Sequence, residues 1–285
     1  MTPLAPHLAA FLNQRLAVER GASPHTCDSY AYAFQLLLAF AARKLASTPS
    51  QLSLEALDAP LILEFLEHLE RDRGNSVASR NARLAAIKSF MRFLEHRVPQ
   101  ALEQLRRVLA IPSKKTNGRL ITTLGRDQLQ ALLDAPSPTT RGGIRDRAML
   151  HLAFAAGLRV SELVGLRLDD LSFEPFAVIT VRGKGRRERR LPLWKDTSTA
   201  LRAWLAVRPA VPAPELFLNA SGKPMTRWGF RYVLKKSRST AVPQCPSLAQ
   251  TRVFPHLLRH CCAMNILQAT HDLRKVALWL GHAHV

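Results

Sequence analysis

Residues 142–168 read GGIRDRAMLHLAFAAGLRVSELVGLRL, and the way this stretch folds decides how the rest of the chain can be arranged around it. Its apolar residues recur at the three- and four-residue spacing of a helix packed on a core, so a helix is expected across it. Arg159 interrupts that pattern directly after Gly157 and Leu158. An arginine placed there must reach water along its aliphatic stem or meet an anion. Taken alone, the position is that of an ordinary surface arginine. Glu162 lies three residues on, shares the helix face and is placed to orient the guanidinium.

Toward the C-terminus, FAVITVRGKGRRERRLPL, residues 176–193, reads as two short strands about a glycine turn. Lys184 stands between Gly183 and Gly185, where the backbone can bend sharply and a flexible ammonium can reach a neighbouring groove. Arg182, Arg186, Arg187, Arg189 and Arg190 surround it, which by itself describes a basic loop suited to a nucleic-acid backbone. Between the two stretches, Asp169, Asp170 and Glu174 hint at a metal-dependent nuclease, yet a surface turn is the ordinary home of such residues. Further on, His256 and Arg259 in PHLLRH are spaced to project from one side of a helix, offering a proton-transferring group beside a phosphate clamp. His260 is expected to be structural. In LWLGHAHV, residues 278–285, His282 follows Gly281, and with His284 as its sole nearby companion no metal site is expected.

Toward the N-terminus, the first hundred or so residues read as helices. Ser23 sits at a capping position before the proline at 24, a further helix begins near Asp58-Ala59-Pro60, and Gly74-Asn75-Ser76 breaks the pattern before SVASRNARLAAIKSFMRFLEHR. Arg80, Arg83, Lys88 and Arg92 fall largely off the apolar stripe of that last helix and are candidate phosphate contacts. IPSKKTNGR, residues 111–119, has no periodicity and carries Lys114, Lys115 and Arg119, as a basic linker would. The expected organisation is therefore a helical domain over 1–110, a linker over 111–120 and a second domain over 121–285. Its fold class is mainly α, with a small β-hairpin in the second domain.

Bulk properties narrow the partner. A chain of 285 residues with a net charge of +20 points to a polyanion, and nucleic acid fits best because lysine and arginine release its condensed counterions. No apolar run is long enough to cross a bilayer and no signal peptide is visible, so a cytoplasmic protein without a membrane partner is expected. Cys27, Cys245, Cys261 and Cys262 lack disulfide or zinc spacing.

Taken in order, GLRVSEL, a strand-turn-strand with GKG, HLLRH and LGHAH resemble the catalytic domain of the tyrosine recombinases, the phage-integrase and Xer-like family. The resemblance covers nearly the whole chain, since a helical, SAM-like core-binding domain joined by a basic linker is also that family's arrangement. It implies a mixed α/β catalytic domain and a site-specific recombinase or transposon integrase that clamps double-stranded DNA as a tetramer. Arg159 and Arg259 would match the arginines that hold the scissile phosphate, and Lys184 the hairpin lysine that protonates the leaving 5′ oxygen. His256 would match the histidine used in proton transfer, His282 the residue that bonds the phosphate, and Glu162 the supporting acid. The resemblance implies neither metal nor other cofactor, because cationic side chains neutralise the phosphate.

One departure stands out. The family's nucleophile is a tyrosine a few helical turns beyond the residue matching His282, whereas the tyrosines here are Tyr30, Tyr32 and Tyr232. On that reading the chain is truncated before its nucleophile, binds a phosphate without breaking it, and has weakened assembly. The alternative expectation is a DNA-binding regulator or decoy that occupies recombination sites.

Overall fold

The computed structural model describes residues 2–116, 123–183 and 188–281. They form two compact units, 1–119 and 120–285. Both are built mainly of helices, and the second adds a small antiparallel sheet.

In the first unit, α1 (Leu4–Ala9) runs on as a wider, π-type turn over Ala10–Glu19, followed by α2 (Pro24–Lys44), α3 (Ala59–Arg71), α4 (Val77–Leu94) and α5 (Leu102–Ala110). The starts are set by capping: Ser23, Asp58 and Ser76 each accept a hydrogen bond from a backbone N–H of the following turn. The apolar stripes meet at Phe11, Phe34, Phe65 and Phe90, all fully buried, with Phe34 edge-on to Phe90 at 5.3 Å.

The second unit holds α6 (Arg126–Asp134), α7 (Arg141–Ala155), α8 (Val160–Val164), β1 (Leu171–Ser172), β2 (Val178–Arg182), β3 (Glu188–Pro192), α9 (Lys195–Val207), α10 (Arg227–Ala241), α11 (Pro255–Thr270) and α12 (Leu273–Leu280). The strands lie in the order β1-β2-β3, all antiparallel, with Ile179 opposite both Leu171 and Leu191. Ile179, Val181 and Leu191 point into the core, whereas Arg182 and Glu188 face each other at the solvent end. Loops are tied down by arginines. Arg208 donates to the carbonyls of Pro209, Ala213, Glu215 and Leu216, closing the connection after α9.

Three expectations need correction. Residues 142–168 are not one helix: α7 stops at Ala155, Gly157 takes the left-handed conformation (φ +56°), and α8 starts anew after Arg159. Left-handed φ suits glycine and ends a helix, which outweighs the apolar periodicity running through the break. Asp170 is no surface turn residue; it is 5 % exposed, accepts from the Arg167 backbone N–H at 2.8 Å and pairs with Arg182 at 2.6 Å. Arg80 was expected at a DNA phosphate but is 4 % exposed, its Nη1 donating to Pro112 O and Asn81 Oδ1, both at 3.1 Å. Asn81 in turn bonds the backbone of Lys114 through both its amide atoms, so this pair ties residues 112–114 to α4.

Candidate phosphate-binding site

The site is built on the break between α7 and α8. A Cβ at Gly157 would stand 2.5 Å from Leu280 Cδ2 and 3.1 Å from Cys262 Sγ, so glycine alone lets α12 and α11 close on this turn. Arg159 follows as the N-cap of α8, and Glu162 is its capping partner: Oε2 accepts from the Arg159 backbone N–H at 3.0 Å and Oε1 from Arg159 Nη1 at 2.8 Å. The sequence spacing thus foreshadowed the contact between Arg159 and Glu162, although a cap rather than a shared helix face produces it.

Two more arginines converge on the same carboxylate. Arg189, from β3, donates to both Glu162 oxygens, with Nη2 2.9 Å from Oε2. Arg259, from α11, brings Nη1 to 3.9 Å from Oε2. Arg259 is 3 % exposed, and its fork spans two elements, donating to Gly157 O at 2.6 Å and Leu280 O at 2.7 Å. Three guanidiniums around one carboxylate leave an excess of positive charge, with Arg159, 43 % exposed, as its outward-facing member. Such a place is suited to an oxyanion.

Titration behaviour follows from the packing. Burial alone would raise the Glu162 pKa, but the hydrogen bonds from Arg189 and the Arg159 backbone, with the Arg189 charge, outweigh it and hold the group below 4.5. Burial, and then the neighbouring Arg159 charge, push Arg259 down to about 10, so it stays charged at neutral pH. A carboxylate with a depressed folded-state pKa contributes stability that is present above pH 4.5 and lost as pH falls through the folded value. Acid titration of the wild type against Glu162→Gln is therefore expected to give curves whose stability difference shrinks below pH 4.5; a constant difference would contradict the assignment.

Of the residues singled out from the sequence, Arg159, Glu162 and Arg259 are brought together. His256 lies one turn before Arg259, exposed, with its ring edge-on to His260 at 4.7 Å. Lys184, Arg186, Arg187 and His282 lie outside the described residues. Arg182 is exposed but already paired with Asp170 and Glu188. Arg83 donates to Ser29 O and covers the Tyr32 ring at 4.9 Å; Lys88 is half-buried and its pKa is lowered by burial and by Arg92 and Arg80. Lys114 pairs with Glu70 at 2.6 Å, and Lys115 is exposed. Among the described residues no group of three or more histidine, cysteine, aspartate or glutamate side chains is placed to hold a metal ion, and no helix is long and apolar enough to cross a membrane. Arg189 is the member that sequence reasoning left among the general basic residues of the hairpin. Alternation along β3 was the available signal, because it puts Arg189 two residues before the buried Leu191.

The family model for the phage integrase family matches residues 122–285, and that for the phage integrase N-terminal SAM-like domain matches residues 8–98. The chain belongs to the phage integrase family. Among its relatives, the Sinorhizobium fredii protein y4rC, described as an integrase/recombinase, is 47 % identical over 99 % of this chain and 85 % of its own length. Tyrosine recombinase XerC of Pelotomaculum thermopropionicum is 34 % identical over 95 % of this chain and 88 % of its own. The fold is also that of a λ integrase tetramer bound to a Holliday junction, with a TM-score of 0.71 at 15 % identity, covering all of this chain and 75 % of the other. The chain is thus a member of the tyrosine recombinase family, of mainly α fold with a helical N-terminal domain.

Proposed function

We propose that this phage integrase acts on double-stranded DNA and seats one scissile phosphate against Arg159 and Arg259. The single observation that carries the reading is the convergence of Arg159, Arg189 and Arg259 on Glu162, which presents fixed positive charge where negative charge grows during phosphoryl transfer. In this reading Lys184 protonates the leaving oxygen, His256 transfers a proton and His282 bonds the phosphate. Elsewhere on the second unit, α10 offers a further surface for a nucleic acid: Trp228 and Tyr232 are 76 % and 66 % exposed, Arg231 lies 5.0 Å above the Trp228 ring, and Lys235 continues the stripe. Exposed Arg92 and Lys115 extend the basic surface of the first unit. Tetrameric assembly on DNA is part of the proposal; the λ integrase likeness supports it, as does an apolar groove of about 480 Å³ lined by Leu191, Trp194, Ile266, Leu278 and Trp279 that a second copy could fill.

In the route the family uses, a tyrosine hydroxyl attacks the phosphorus in line. Residues 1–285 hold no tyrosine after Tyr232, so a polypeptide of these residues is proposed to bind DNA and the phosphate without cutting. With a nicked suicide duplex, it is expected to lose about a thousandfold in affinity between 50 and 200 mM salt through counterion release, the loss for about six neutralised phosphates. No covalent adduct should survive denaturation. Salt-insensitive binding would remove the DNA reading, and a retained adduct would remove the non-cleaving one.

A further inference from the structure

Arg189 contributes charge to the cluster described above but is not among the residues proposed to touch the phosphate, and its surroundings are unusually constrained. The side chain leaves β3 with 11 % exposure and meets Glu162 fork to fork, Nη2 on Oε2 at 2.9 Å and Nη1 on Oε1 at 3.4 Å. Its stem lies across Gly281, the left-handed residue that ends α12: a Cβ there would be 3.0 Å from Arg189 Nη1 and 3.2 Å from Cδ. Nε is buried and has no hydrogen-bond partner among the described residues. A donor left in that state disfavours the placement, so the contact with Glu162 must offset it. One side chain therefore joins the strand after the hairpin, the cap of α8 and the end of α12.

We propose that Arg189 is a positioning residue for the phosphate site: by gripping both oxygens of Glu162 it fixes the carboxylate that orients Arg159, and by lying on Gly281 it sets the exit of α12. The inference rests on the phosphate-site reading. Arg159 alone gives each Glu162 oxygen one donor; Arg189 adds a second donor to each from another element, so the carboxylate is held at both oxygens from two parts of the chain. A lysine would keep the charge but could not grip two oxygens in one plane.

The test uses the 285-residue protein as wild type, Arg189→Lys, Arg189→Gln and Arg159→Gln, with inorganic phosphate as the probe. Affinity is read by NMR from the side-chain N–H signals of Arg159 and Arg259 during titration. A second readout is the carboxyl-carbon titration of Glu162, which reports whether the Arg189 contact is lost; a merely structural role for Arg189 would leave the phosphate affinity of the folded variants unchanged. Both Arg189 variants are expected to bind phosphate about tenfold more weakly and to raise the Glu162 midpoint, each measured at a temperature where the variant is folded. If Arg159→Gln leaves phosphate binding at Arg259 unchanged, the phosphate-site reading itself is wrong. If Arg159→Gln weakens binding while Arg189→Lys matches wild type in affinity and Glu162 midpoint, the site stands and the positioning role is overturned. Should Arg189→Gln fail to fold, Arg189→Lys decides on the same two readouts.

Discussion

Arg259→Met is expected to lower the stability of the second unit by about 3 to 5 kcal/mol, the range for removing one partner from a buried charged network. The change keeps an unbranched stem of similar length but withdraws the donors from Gly157 O and Leu280 O, which lie at 2.6 and 2.7 Å. Each carbonyl left unpartnered costs about 1 to 3 kcal/mol, so the two together account for most of the loss. Phosphate binding should vanish with it, because the same guanidinium holds the turn that carries Arg159. Urea denaturation followed by tryptophan fluorescence is a clean measure, since Trp194, Trp204, Trp228 and Trp279 all belong to the second unit. Arg190→Met, at an exposed side chain, is the control. A loss under about 1 kcal/mol at Arg259 would mean that water replaces the guanidinium, and that the buried fork is not what joins α7 to α12.

Gly157→Ala should cost about 2 to 5 kcal/mol by a different route. Left-handed backbone accounts for about 1 to 2 kcal/mol of this, and a methyl 2.5 Å from Leu280 Cδ2 adds an overpacking penalty of about 1 to 3. Gly222→Ala separates the two, because Gly222 has φ +73° but its nearest neighbour, Val211 Cγ1, is at an ordinary 3.6 Å. Only the conformational part is expected there. Equal losses at both positions in the same urea experiment would show that α12 retreats freely from the turn, and that the close packing at Gly157 adds nothing.

Much of the fold was legible because local signals agreed with it. The cap at Ser23, the helix start near Asp58 and the alternation in ITVR left little choice, and each element formed where it was expected. Residues 142–168 misled because apolar spacing persists through Gly157, and periodicity registers hydrophobic faces rather than backbone handedness. At the site, Arg159, Glu162 and Arg259 were visible as residue types in boxes. What the boxes lack is direction: the sequence does not say that Arg259 turns inward to two carbonyls, nor that Arg189 spans from a strand to Glu162. Arg80 illustrates the same limit from the other side. It lies off the apolar stripe by spacing, yet the chain after α5 returns over it and covers it.

The fan of carbonyls around Arg208 bears on how this protein can be engineered. A designer wishing to tame its stickiness toward nucleic acids would naturally trade arginines for neutral residues, treating every cation as interchangeable. Arg208 is mortar rather than bait, holding the connection after α9 shut from within. Trimming it would leave four carbonyls without that donor, so charge reduction has to begin from side chains that touch only solvent.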